Sequence, residues 1–241
     1  MGRRFGSTDA RLTELLPLVA RLSLECIGSS DALYHNVEHT MLVTLVGYDI
    51  MKGRSLVTPT YPSDFAHVIV ACLLHDIGYV RGILKGDGPD GYVINSNGGK
   101  AKLPRGSSDA ALLPFHVDRS KLYAMDRLGK EKVLDAARIA DSIEYTRFPS
   151  PGGPEHEDSE EGFLVRAADL IGQLGDPHYL RKANALYYEF EEVGMNRHSP
   201  ADLTDQYPQF YWNNVSPHIQ AAIRYLNSDF KRTTVDCESL Q

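Results

Sequence analysis

Apolar residues recur at three- and four-residue intervals along most of this chain, and no stretch alternates apolar with polar for long enough to require a sheet. Leu12, Leu15, Leu16, Val19 and Leu22 fall on one face of a helix expected over about 9–27, with Pro17 as a kink or as the true first turn and Gly28-Ser29-Ser30 as the stop. A second apolar stretch runs from Val37 to about Lys52. Asp64 is then expected to cap a strongly apolar helix over 65–77, with Gly78 at its C′ position. Nearly free of charge, that helix reads as buried. Residues 80–107 hold seven glycines together with Pro89, Asn95, Asn97 and Pro104, which predicts a long Gly-rich insertion loop. Beyond it, length and spacing favour helices over 120–128, 130–146, 160–174, 178–193 and 206–229, the first two meeting at Gly129. The Pro/Gly-rich segment 148–154 and the acidic run 155–161 predict one exposed loop between them. The expected architecture is therefore all-α: a single domain over 1–241, without repeat or linker.

Composition narrows the partners. With 241 residues, 42% of them apolar and 24% charged, the chain can bury a full core without a metal or disulfide staple. No apolar run approaches the roughly eighteen residues of a spanning helix, so no membrane partner is expected. A net charge of −7 disfavours nonspecific nucleic-acid binding, which needs a broad basic face. An anionic substrate must then be met by local positive charge or by metal. Cys26, Cys72 and Cys237 are odd in number and widely spaced, as a reducing compartment allows. The start, Met1 to Ser7, lacks the apolar segment of a secretory leader, and Gly6 breaks the myristoylation pattern, so a cytoplasmic protein with Arg3 and Arg4 on a solvated end is expected.

Two constellations carry candidate chemistry. In Tyr34-His35-Asn36-Val37-Glu38-His39 the histidines stand four apart, on one face of a helix starting nearby, so one can meet a metal while the other faces substrate. In Leu74-His75-Asp76-Ile77-Gly78 an imidazole and a carboxylate adjoin at the end of an apolar helix, where an unpartnered charge is costly. A metal ion is the simplest partner. Imidazole and carboxylate ligands together suit zinc, manganese, iron and magnesium.

These residues resemble the HD-domain metal-dependent phosphohydrolases, and within them the class I cyclic nucleotide phosphodiesterases. The first motif is similar to the family's His-Asn-x-x-His signature, and the interval from His39 to His75 is similar to that between the corresponding ligands. Ala167-Ala168-Asp169-Leu170 resembles the element that closes the metal shell, and the stretch holding Gln206, Gln209, Phe210 and Pro217 weakly resembles the one that carries a base-binding Gln and a stacking Phe. The resemblance spans roughly residues 33–220. It implies an HD-domain helical bundle in which His39, His75, Asp76 and Asp169 hold a divalent ion, Asp76 bridges to a second, His35 is the general acid, and Gln209 with Phe210 binds substrate. The implied activity is hydrolysis of a nucleotide-like phosphoester by metal-generated hydroxide, with a 3′,5′-cyclic nucleotide as the favoured substrate and Mn, Mg, Zn or Fe as the metal.

Several alternatives stay open. A phosphomonoesterase or a dinucleotide polyphosphate hydrolase can use the same metal core. So can a regulatory protein that binds metal or nucleotide without turnover, although His35 argues against it, or an iron oxygenase. Ala140-Asp141-Ser142-Ile143-Glu144 is similar to the shell-closing element of the HD-domain diadenosine polyphosphate hydrolases, so Asp141 competes with Asp169. The apolar context of Asp169 favours it, while Asp141 has Arg138 or Arg147 within reach of an ion pair. His116 is a candidate ligand for a second metal. Arg81, Lys85, Lys100, Lys102 and Arg105 on the Gly-rich loop either cover a phosphate or only keep the loop solvated. Phe210, Tyr211 and Trp212 are expected mainly as a core stripe.

Overall fold

Helix α2 (Val37–Val57) is the central element, because Val43, Gly47, Ile50, Met51 and Gly53 present it with a buried face on which α3 (Pro62–Leu74), α6 (Glu160–Leu174) and α9 (Ser216–Glu238) all pack. The chain, taken here as a computed structural model, is described over residues 10–148, 159–195, 199 and 205–238, with side chains as far as residue 228. It forms one mostly helical domain, as the spacing of apolar residues predicts. Gly53 is needed for the α2–α9 contact, since a Cβ there would stand 1.9 Å from the carbonyl oxygen of Tyr225.

Helix α1 (Ala10–Ile27) tolerates Pro17 in its interior and buries Leu12, Val19 and Ile27 against α3. Nine of the thirteen residues of α3 are buried, as expected of its near-absence of charge. Its N-terminus differs from the sequence expectation. Pro62 occupies the first turn, and Asp64 is the third helical residue, whose carboxylate accepts the Tyr61 backbone N–H at 3.0 Å. The C-terminal end also differs: the helix stops at Leu74, and Ile77–Tyr79 is a short 3-10 turn.

The helix expected over 130–146 is α5 (Ala136–Glu144) alone, because Asp135 accepts the N–H groups of Ala137 and Arg138 and so caps a new start. Its neighbour α4 (His116–Leu128) begins earlier than expected, following a 3-10 segment, Asp109–Phe115. Glu160 and Glu161 belong to the first turn of α6 rather than to a loop, where they suit the helix dipole and pair with Arg54 (2.8 Å) and Arg138. Residues 149–158 of the expected exposed loop, and the N-terminal arginines, lie outside the described residues.

Chain then runs through α7 (Tyr179–Glu192), α8 (Tyr207–Phe210) and a π turn over Tyr211–Val215 before α9. The Gly-rich segment is ordered by a two-residue hairpin, Tyr92–Val93 against Lys100–Ala101, and by a buried ion pair of Asp87 with Arg119 at 2.9 Å. Asp87 also accepts the N–H groups of Gly82, Leu84 and Val93, which fastens the loop to α4. Among the described residues no helix is long and apolar enough to cross a membrane.

Candidate metal centre and its cavity

Asn36 builds the first half of the site. Its side-chain oxygen accepts the N–H groups of Glu38 (2.9 Å) and His39 (3.3 Å), starting α2 so that His39 faces inward from the first turn while His35 precedes the cap. The second half lies where α3 ends. His75 and Asp76 sit at the unwinding, which lets neighbouring residues that would diverge on a continuous helix approach to 3.0 Å, His75 Nε2 to Asp76 Oδ2.

Gly78 fixes this corner against α4. A Cβ there would meet the His116 carbonyl oxygen at 1.9 Å, so the chain passes only because the side chain is absent. Gly78 N–H donates to Ser120 Oγ (2.8 Å), its carbonyl accepts from Arg119 Nε (2.7 Å), and Ser120 Oγ donates to the His75 carbonyl (2.7 Å).

Four atoms converge from three elements. His39 Nε2 is 3.3 Å from Asp76 Oδ2, 3.2 Å from Asp169 Oδ1 and 3.3 Å from His75 Nε2, and His75 Nε2 is 3.6 Å from Asp169 Oδ1. His39, His75 and Asp76 are buried, and Asp169 on α6 is mostly so. The Nδ1 of His75 bonds to the Cys72 carbonyl at 2.8 Å, so its proton resides there and Nε2 presents a lone pair. That lone pair faces two carboxylates, and Asp76 Oδ2 is buried without a hydrogen bond of acceptable geometry. Lone pairs aimed at one another call for a cation between them. Ligand atoms about 2.0–2.2 Å from one ion at tetrahedral or octahedral angles lie about 2.8–3.6 Å apart, the range of the imidazole–carboxylate and imidazole–imidazole separations here, and the ligand atoms of His39, His75 and Asp76 all lie within 4.8 Å of one another.

The same facing charges raise the proton affinity of both imidazoles. Burial would lower the pKa of the His39 imidazole, but the facing carboxylates of Asp169 and Asp76 outweigh this and raise it; His75 is driven well above its ordinary value chiefly by the Asp76 charge, again against burial. Burial would raise the carboxyls of Asp76 and Asp169, yet the facing imidazoles hold both well below the usual carboxylate range. The arrangement favours two anions and rewards positive charge at their centre.

His35 stands beside this cluster, its ring 5.6 Å from that of His39. Its Nδ1 contacts Glu189 Oε2 at 2.5 Å, and Glu189 Oε1 also accepts the backbone N–H groups of Tyr34 (2.6 Å) and His35 (3.3 Å). Nδ1 therefore carries a proton and Nε2 is the nitrogen left for chemistry. Tyr79 is stacked between His35 (4.6 Å) and His116 (4.5 Å), fixing both ring planes. His116 bonds through Nδ1 to the Leu113 carbonyl and sets Nε2 3.7 Å from Asp76 Oδ1, the oxygen directed away from the main cluster. Its pKa is lowered, mainly by burial.

His35, Asp76, His116 and Asp169 open on a cavity of about 210 Å³. Of the expected substrate-binding residues, Phe210 lines it and Gln209 does not: Gln209 is exposed, and Gln206, one helical turn earlier, is on the wall. Asp141 is exposed and apart from the cluster, and the arginines expected to pair with it are held elsewhere, Arg138 by Glu161 and Asp64, Arg147 by Asp118 and Glu144. Trp212 is 67% exposed rather than in the core. The Gly-rich loop contributes no side chain to the cavity wall, and Arg81 and Lys100 are paired with Asp109 and Asp31 and with Asp90.

Arg166, Glu189 and Tyr79 are components that motif reading missed. None differs in sequence from an ordinary helix or core residue; only the fold brings them to the site.

A family model, Npun_R2479-like, matches residues 1–235. The chain belongs to that family. The match includes every residue of the cluster, His35 with Glu189, and the cavity wall. No curated protein and no solved structure matches the chain.

Proposed function

We propose that this chain is a metal-dependent phosphohydrolase acting on a nucleotide-like phosphoester, of the kind its motifs resemble. The observation that carries the reading is the convergence of His39, His75, Asp76 and Asp169, with Asp76 Oδ2 buried and without a donor, next to an imidazole held by a buried carboxylate. Those four residues would hold one divalent ion, and Asp76 Oδ1 with His116 would help to hold a second. Bound there, such ions supply Lewis-acid polarisation of phosphoryl oxygens and a lowered pKa for water. The mixed imidazole and carboxylate donors suit zinc, manganese or iron, and magnesium less well.

The chain's own contribution is proton delivery and placement. His35 gives a proton from Nε2 to the departing oxygen, and Glu189 stabilises the imidazolium and keeps Nδ1 protonated. Tyr79 keeps the ring in plane. Phe210, Tyr207 and Gln206 form an aromatic and amide wall on which a base can stack, which supports a nucleotide and keeps a 3′,5′-cyclic nucleotide among the candidates, beside phosphomonoesters and dinucleotide polyphosphates. The free thiols of Cys26 and Cys72 fit a cytoplasmic setting.

The test is hydrolysis of bis-p-nitrophenyl phosphate and p-nitrophenyl phosphate by protein stripped of metal and refilled with manganese, zinc, iron or magnesium. Metal-dependent turnover of either ester supports the reading, the diester pointing to a phosphodiesterase and the monoester alone to a nucleotidase. Silence with metal bound would refute catalysis and leave a binding protein.

A further inference from the structure

Arg166 is a buried charge that the described residues leave unbalanced. It is 8% exposed and lies on the cavity wall. Its Nε donates to the Tyr145 carbonyl at 2.6 Å, Nη1 reaches Nδ1 of His218 at 3.4 Å, and the guanidinium carbon stands 5.2 Å from the Tyr145 ring centre. No carboxylate among the described residues pairs with it. Arg147, the other arginine on the wall, is fully engaged by Asp118 and Glu144. A buried cation without a counter-charge is expensive, and the cost here is visible as a guanidinium pKa lowered by burial.

Two other side chains on the same cavity wall can donate. Because Nδ1 of His218 accepts from Arg166, the ring proton of neutral His218 is on Nε2, and burial together with the Arg166 charge lowers its pKa and keeps it neutral. Asn214, exposed in the π turn, lines the same cavity, and its amide gives one N–H to the Phe210 carbonyl (3.4 Å) and keeps a second. Arg166 is also three positions before Asp169 on α6, a spacing that sets their Cβ atoms about 5–6 Å apart. An oxyanion at Arg166 would therefore sit beside the metal-binding cluster and apart from it.

We propose that Arg166, with His218 and Asn214, binds a second phosphoryl group of the substrate, one that is retained while its neighbour is hydrolysed at the His/Asp cluster. A guanidinium fork with an imidazole and an amide donor offers more than the two oxygens of a carboxylate can use and suits a tetrahedral phosphoryl group. The identity of the ligand as substrate rests on the phosphohydrolase reading, whereas the anion subsite does not. The consequence is a preference for linear esters with two or more phosphoryl groups over a 3′,5′-cyclic mononucleotide, whose one phosphoryl group leaves Arg166 unpaired.

The subsite is tested first without metal or turnover. Metal-stripped full-length protein is titrated with inorganic pyrophosphate by calorimetry. Arg166→Gln should weaken binding by about tenfold to a hundredfold, as expected for loss of a charge-assisted pair. Since Nε of Arg166 also holds the Tyr145 backbone, His218→Leu is measured in parallel, and weakening of about threefold or more is expected without disturbing that bond. Wild-type protein that does not bind pyrophosphate, or two folded variants that bind it as wild type does, would overturn the proposal.

Its place in the substrate is tested with metal restored, using adenosine 5′-diphosphate as inhibitor of p-nitrophenyl phosphate hydrolysis. The loss of diphosphate affinity in Arg166→Gln should exceed the loss in KM for p-nitrophenyl phosphate at least tenfold. Equal losses would mean that Arg166 grips the reacting phosphoryl group, and would overturn the second-phosphoryl assignment. Arg166-dependent pyrophosphate binding in a protein that hydrolyses no phosphoester would uphold the subsite and sink the hydrolase reading alone.

Discussion

Replacing Glu189 by Gln changes where one proton resides. In the wild-type site Glu189 is 1% exposed, accepts the Tyr34 and His35 N–H groups through Oε1, and holds His35 Nδ1 through Oε2 at 2.5 Å. In Glu189→Gln the carbonyl must stay at Oε1 to serve the two backbone donors, which places the amide NH2 against Nδ1. Nδ1 then becomes an acceptor, the imidazole proton moves to Nε2, and the imidazolium loses its counter-charge. One charge-assisted bond becomes neutral, so the stability loss should be about 1–2 kcal/mol. Turnover should fall by about 10²–10⁴, the usual contribution of a positioned general acid, with metal content unchanged. Nitrogen-15 NMR of the histidines reads the tautomer directly, and metal analysis and kcat read the rest. The carboxyl of Glu189 itself is held below its ordinary range: burial opposes this, but the His35 charge and bond outweigh it. Its stabilising effect is thus full above the carboxylate range and is lost as pH falls through the lowered folded value, a component that Glu189→Gln should lack. A variant whose Nδ1 remains protonated, or whose kcat equals wild type, would refute the orienting role.

Other expected outcomes follow from single contacts. Gly78→Ala forces a Cβ onto the His116 carbonyl and should cost about 3 kcal/mol or more by thermal unfolding, through overpacking and loss of the Ser120 and Arg119 bonds; a melting temperature within a degree of wild type would contradict the close approach. Asp87→Leu strands the fully buried Arg119 and should destabilise by about 3–5 kcal/mol. Burial opposes ionisation of Asp87 but the Arg119 bond lowers its pKa, so wild-type stability present above the carboxylate range should fall as pH drops through the lowered value, and Asp87→Asn should flatten that limb in a melting-temperature series. Asp169→Asn should lose metal while Asp141→Asn keeps it, and the reverse pattern in metal analysis would reassign the closing ligand.

The parts legible in the sequence are those fixed by local pattern. The apolar spacing marks α1 and α6 nearly to the residue, and the adjacency of His75 and Asp76 at the end of an uncharged helix marks a buried charge needing a partner. Asp169 is distinguishable from Asp141 because its apolar context reports burial. What was not legible depends on tertiary partners. Glu189 is one of several acids on α7, and only the approach of the Tyr34-His35 backbone distinguishes it. Arg166 carries no sequence signal of its own and is singled out only by its contacts with the Tyr145 carbonyl and His218. Gln206 and Gln209 stand about one helical turn apart, so spacing alone does not separate them, and which of them reaches the cavity is set by α8 and the π turn. The Gly-rich loop looks free because its fastening, Asp87 to Arg119, joins residues far apart in the chain.

The central claim is that His39, His75, Asp76 and Asp169 form a metal site, and metal titration of the stripped protein followed by thermal unfolding tests it most directly. Wild-type protein should take up at least one equivalent of manganese, zinc or iron, and gain about 4 kcal/mol of stability at a thousandfold excess over Kd. Asp76→Asn should abolish both effects while remaining folded. Wild-type protein that neither retains nor is stabilised by any of these ions, or an Asp76→Asn variant that binds them unchanged, would contradict the account.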